Sequence, residues 1–157
     1  MAVRPVVRHP DPALRVECAP VSDIDDSLHA LAADMLKTMY AAQGRGLAAP
    51  QVAMTARIFV MDAGWKQGRP DPHIFINPEI TWTAPGRQVY EESCLSIPGL
   101  PRRIARPAQV ALRWLDGSGQ PREGQFAGAA AVIVQHEIDH LDGILMIDHL
   151  AVTGDTA

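Results

Sequence analysis

The stretch QHEIDH, residues 135–140, sets two histidines four residues apart with a glutamate directly after the first. On an α-helix, residues four apart stand on one face a turn apart. His136 and His140 can then aim two imidazoles at a single point, and Glu137, about 100° round the helix, stands beside that point without occupying it. Zinc hydrolases carrying H-E-x-x-H use this geometry for two metal ligands and a general base. The plain alternative is a pair of ordinary core or surface histidines. Ala129, Val132 and Ile133 argue against it, because they precede His136 on the same side and the histidines continue their apolar stripe. A buried imidazole without a partner is costly there, and a metal ion supplies the partner. Asp139 and Asp142 are candidates to fix the imidazole tautomers, with a solvated Asp139 as the other option.

The rest of the chain reads as a frame for this helix. Residues 129–141 are rich in alanine and free of glycine and proline, and Gly143 lies just past their end. A second helix is expected over 22–43, where Ile24, Leu28, Leu31, Met35 and Met39 make one buried stripe. Asp23, Asp25 and Asp26 crowd its start, where the helix dipole favours anions, and Gly44 suits its left-handed stop. GRGLAAPQ, residues 44–51, reads as a loop. Ile58–Met61 and Ile74–Ile76 read as strands, and Tyr90–Ile97 as extended. Val110, Leu112 and Trp114 alternate with Ala111 and Arg113, residues 116–119 turn the chain, and 120–126 return as a hairpin partner. Pro121 demotes the start of that return strand to an edge. Strands between two helices, with no repeat or long linker, make residues 1–157 a single α+β domain. Mostly antiparallel strands would surround a C-terminal metal-binding helix, with an N-terminal amphipathic helix.

Composition narrows the partners. A net charge of -4 and a pI near 5.8 argue against nucleic acid or an anionic membrane. Arg4, Arg8 and Arg15, and Arg102, Arg103 and Arg106, form two loose groups that read as solvated faces. No apolar run approaches the ~18 residues that cross a bilayer. The opening MAVRPVVRHPDP has no signal-peptide core, so the expected compartment is the cytoplasm. Cys18 and Cys94 are expected to be free, buried or metal-bound rather than bridged.

A catalytic metal site wants a third protein ligand. Downstream of His140 only Asp142, Asp148, His149 and Asp155 qualify, none at the spacing zinc peptidases use. Upstream stands Cys94, in EESCLSIPG, whose thiolate is a strong ligand for Zn²⁺ or Fe²⁺.

At this point three segments align with a known pattern. GRGLAAPQ (44–51), ESCLS (92–96) and QHEIDHLDG (135–143), in this order and spacing, resemble the three motifs of the peptide deformylases, G-x-G-L-A-A-x-Q, E-G-C-L-S and Q-H-E-x-D-H-L-x-G. The opening HPDPALR followed by APV resembles that family's amino-terminal segment, so the similarity runs along nearly the whole chain. The resemblance implies removal of the formyl group from the N-terminal methionine of nascent peptides. Cys94, His136 and His140 would hold one divalent metal ion, Fe²⁺ in the cell with Zn²⁺ or Ni²⁺ as alternatives. A fourth position would be left for water, whose pKa a zinc site lowers towards ~7. Glu137 would be the general acid/base, and the Gln51 amide with the Leu95 N–H would receive the oxyanion. Gly46 would let the substrate backbone approach closely, and Val132 and Ile133 would line the methionine pocket or simply belong to the core. Glu92 and Arg106 are expected to pair beneath the Cys94 loop.

Two positions depart from the family pattern. Ser93 replaces a glycine, where a positive φ or close substrate approach is wanted, and Arg45 stands where many relatives carry an apolar residue. The chain also ends in LAVTGDTA without the basic helix that relatives can use to dock on the ribosome, so a transient ribosome contact stays open as a partner but is in question by that route. Three readings stay open: an active deformylase, a related hydrolase with drifted acyl or peptide specificity, and a non-catalytic binding module stabilised by its metal.

Overall fold

The computed structural model describes residues 2–153. Helix α1, Asp26–Ala41, starts where Asp25 caps it by accepting the Leu28 N–H at 2.9 Å. Leu28, Leu31, Met35 and Met39 form its buried stripe. The helix is shorter than the 22–43 expected, and its stop differs. Gln43, not Gly44, takes the left-handed conformation (φ 59°). Gly44 answers a different demand, since a Cβ there would lie 2.8 Å from the Leu95 side chain.

The expected loop at 44–51 is instead an edge strand and a helical turn. Gly46–Ala48 forms β1, and Ala49–Val52 winds into a 3₁₀ turn. β1 pairs antiparallel with β2, Ile58–Met61, and β2 with β3, His73–Thr83. β3 runs well past Ile76 because Asn77 and Pro78 make a bulge rather than an end. Asn77 sits at φ 52°, and its amide exchanges two hydrogen bonds with the Val21 backbone, at 2.7 and 2.9 Å. β4, Arg87–Cys94, and β5, Ile97–Pro107, form a separate two-stranded ribbon. No strand is expected over 98–107 from the sequence, and Pro98, Pro101 and Pro107 are tolerated in β5 because it belongs to a two-stranded ribbon. β6, Gln109–Leu115, and β7, Pro121–Ala127, form the expected hairpin, and the main sheet runs β1-β2-β3-β6-β7 with β7 at the edge Pro121 requires.

Helix α2, Gly128–Leu141, carries the histidines and ends at Gly143, φ 74°. The two helices cover opposite faces of the sheet, and β2 shows why it is buried throughout. Phe59 and Met61 pack with Ile133, Val134 and Ile138 of α2, whereas Ile58 and Val60 pack with the α1 stripe. Side chains alternate faces along a strand, so a run with no polar residue has to be covered twice. A third cluster, Leu14, Ile97, Ile104, Leu145 and Met146, backs Cys94. This is the expected α+β architecture of antiparallel strands around a C-terminal helix. Among the described residues no helix is long and apolar enough to cross a membrane. The carboxy-terminal residues 154–157 of LAVTGDTA lie outside the described residues.

Candidate metal centre and its cleft

Helix α2 brings His136 and His140 onto one face, and the end of β4 delivers Cys94 to the same point. One donor atom from each lies within 4.8 Å of the others, and all three residues are buried. The Cys94 Sγ stands 3.3 Å from His140 Nε2. Glu92 Oε1 occupies His136 Nδ1 at 2.9 Å, which leaves Nε2 as the nitrogen on the Cys94 side, available to a metal ion. A thiolate and two imidazoles are a donor set for a borderline transition metal, so this cluster can hold one such ion.

The electrostatics agree with that fit. Burial pushes His136 down, but hydrogen bonds to Cys94 and Glu92 and the charge of Glu137 outweigh it and hold its pKa well above the ordinary value. The pull these groups exert on a proton is the pull they exert on any cation. His140 is driven well below its ordinary value by burial and by the charges of His136 and Arg106, so it is a neutral donor. Its Nδ1 is buried without a partner among the described residues. Asp142, expected to hold a tautomer, instead pairs with Arg57 at 2.8 Å. Asp139 bonds to Arg106 and His149, at 2.9 and 2.8 Å, and not to either metal-facing imidazole.

The partner of His136 is Glu92, a link the sequence reading missed. The Arg106 guanidinium holds the same carboxylate by two hydrogen bonds, at 2.5 and 3.0 Å, and reaches Asp139 with its remaining arm. Glu92 and Arg106 do pair under Cys94, as expected, and the network extends to the imidazole.

Glu137 lies beside the cluster. Burial pushes its carboxyl up to about 7, and Oε1 has no partner among the described residues. Gly46 is the reason it fits, because a Cβ there would come within 2.6 Å of Glu137 Oε2 and 2.8 Å of Ile133 Cγ2. Gly46 also lines the cleft, so its lack of a side chain makes room for this carboxylate on one side and leaves the cleft open on the other. Gln51 is oriented by its own carbonyl, which accepts the Ala48 N–H at 3.0 Å. Its Nε2 then faces Ser96 Oγ at 3.1 Å and Cys94 Sγ at 3.7 Å. Ser96 lies inside the ESCLS motif, where nothing local marks it as the partner of Gln51.

A cleft of about 790 Å³ opens over the cluster. It is lined by Arg45, Gly46, Gln51, Ser93, Leu95, Val132, Ile133 and Glu137, among others, with Cys94 and His136 in its floor. His140 lies behind. Val132 faces the cleft, while Ile133 lines it and also belongs to the α2 core. Ser93 is exposed, and no left-handed φ occurs there, so the serine imposes no backbone strain.

Comparison with known proteins then decides the family. The family model described as polypeptide deformylase matches residues 3–155. This chain belongs to the polypeptide deformylase family. A peptide deformylase of Mesorhizobium japonicum is 47% identical over 151 residues, covering 96% of this chain and 86% of that protein. The crystal structure of peptide deformylase from Thermotoga maritima superposes with a TM-score of 0.91 at 38% identity, covering 97% and 100% of the two chains. That of a class I type b peptide deformylase from Acinetobacter baumannii, bound to Met-Ala-Ser, superposes with a TM-score of 0.88 at 33% identity, covering 95% and 99%.

Proposed function

We propose that this protein is a cytoplasmic peptide deformylase that hydrolyses the formyl amide of N-formylmethionyl peptides, with Cys94, His136 and His140 as ligands of one divalent metal ion. The observation that carries this reading is a buried Glu137 carboxylate, one oxygen of which has no partner among the described residues, beside a Cys-His-His cluster at the floor of a peptide-sized cleft. A structural metal site needs no base; a hydrolytic one does. When bound, the ion supplies Lewis-acid polarisation of the formyl carbonyl and a lowered pKa for water at the site. Fe²⁺ is the ion favoured in the cell, and Zn²⁺ and Ni²⁺ suit the same donors.

The residues of the chain do the rest. Glu137 takes the proton from the attacking water and returns it to the leaving amine of methionine. The Gln51 amide, held by Ala48, and the Leu95 N–H, at the turn between β4 and β5, donate to the oxyanion. One such donor typically contributes about 2.7–4 kcal/mol in the transition state. Val132 and Ile133 receive the methionine side chain, and Gly46, Arg45 and Ser93 flank the bound backbone. The domain spans residues 1–157.

Protein freed of metal by a chelator is expected to be inactive on formyl-Met-Ala-Ser and to recover turnover with Fe²⁺, Ni²⁺ or Zn²⁺. Absence of turnover with all three ions would defeat the reading. Gly46→Ala is expected to lower kcat/KM by about 10²-fold, the usual consequence of moving a catalytic group by an ångström. Metal content, measured by atomic absorption, should stay at one ion per chain. Unchanged kinetics would mean that the approach of Gly46 to Glu137 has no role.

A further inference from the structure

The cleft has an acidic interior and a basic mouth. Among the described residues the carboxylates lining it are Glu92 and Glu137, both buried, with Glu92 committed to Arg106 and His136. Arg8, Arg45 and Lys66 also line it, and all three are exposed. No carboxylate among the described residues forms an ion pair with any of them. On a chain whose net charge is -4, three unpaired cations at one opening are a local reversal of sign.

The backbone segments that carry two of the three are tied together. The Trp65 indole donates to the Gly44 carbonyl at 2.9 Å and packs edge-on against Tyr40, with ring centroids 5.3 Å apart. At the other end of this segment the Asp62 N–H donates to the Arg45 carbonyl at 2.9 Å, and the Asp62 carboxylate accepts from the Tyr40 hydroxyl. The segment 62–66 is thus tied to residues 44 and 45 from both ends, and Lys66 and Arg45 line the same cleft. Arg45 in turn directly precedes Gly46, which touches Glu137. A formyl carbon within reach of Glu137 lies at the floor. An extended peptide advances about 3.3 Å per residue, so the residues after the methionine emerge at the level of these cations.

We propose that this rim gives the enzyme a preference for formylmethionyl peptides with an aspartate or glutamate at the second or third position. The inference rests on the deformylase reading and adds a substrate class to it. It also gives Arg45, which departs from the family pattern, a role at the site.

The test compares kcat/KM for formyl-Met-Asp-Ser, formyl-Met-Ala-Asp, formyl-Met-Ala-Ser and formyl-Met-Lys-Ser on the metal-loaded enzyme. Exposed ion pairs are individually weak, so the acidic peptides are expected to exceed the lysine peptide by about three- to tenfold at low salt. The ratio should shrink in half-molar salt, where screening acts within about 4–5 Å, and should invert in the Arg45→Glu/Lys66→Glu double variant. Ratios are read within each variant, so a change in overall activity cancels. Equal values for the four peptides overturn the proposal, including the case in which short single-stranded RNA competes for the cleft. Calorimetric titration with the products Met-Asp-Ser and Met-Ala-Ser makes the same comparison without turnover. Tighter binding of the acidic product supports the rim preference even if the deformylase reading fails, and equal binding overturns it even if that reading stands.

Discussion

Glu137→Ala is expected to lower kcat/KM on formyl-Met-Ala-Ser by about 10²–10⁴-fold, the range that general acid/base groups contribute. The same substitution should leave the protein no less stable. The carboxylate is buried, one of its oxygens has no partner, and burial raises its pKa to about 7. A buried polar atom without a hydrogen bond costs stability, so removing it relieves a penalty that offsets the small cavity left behind. Loss of activity without loss of stability is the behaviour of a group kept for chemistry against the interest of the fold. Metal content should remain at one ion per chain, because the three donors belong to Cys94, His136 and His140. Steady-state kinetics, thermal denaturation and metal analysis on one preparation check all three statements. A variant that keeps its turnover would remove Glu137 from the mechanism. If wild type and variant are equally inert, the non-catalytic binding module takes its place.

The parts of this site legible in the sequence are those set by local periodicity. The helical spacing of His136 and His140, the stripe of α1 and the alternation of β6 are short-range patterns, and each element stands within a few residues of its expected place. What escaped depends on contacts between distant segments. Glu92 meets His136 across 44 positions, and no local pattern records that a carboxylate on β4 faces an imidazole on α2. That Gly46 makes room for Glu137 is not written locally either, because the two stand far apart along the chain. β5 carries three prolines, and whether a strand can hold them depends on whether it is central or in an edge ribbon, which is a tertiary fact. At the end of α1 the left-handed position went to Gln43, since Gly44 was needed for the approach of Leu95.

That long-range network carries the second large effect, and it falls on stability. Arg106→Met is expected to destabilise the fold by about 3–5 kcal/mol, the usual result of removing one partner from a buried ion pair. At about 2–4 °C per kcal/mol for a chain of this size, Tm should fall by roughly 6–20 °C. The Arg106 and Glu92 side chains are 5% and 2% exposed, so solvent screens them little. The guanidinium forks onto both oxygens of Glu92 and also reaches Asp139, three hydrogen bonds that methionine cannot replace. Without it, Glu92 keeps its charge in a buried place with His136 as its remaining partner. Arg106→Lys should recover only part of the loss, because an ammonium keeps the charge but not the planar fork. Arg113 is the control. Its pair with Glu79 is 60% and 57% exposed, and Arg113→Met should change stability by no more than about 1 kcal/mol. The damage should also reach the metal. Arg106 steadies the carboxylate that orients His136, so the Met variant should bind its ion about 10–100-fold more weakly, as losses behind a metal ligand usually do. Equal Tm values for the Arg106 and Arg113 variants would show that the buried network contributes no more than a surface pair, and its proposed support of the metal site would then fall with it.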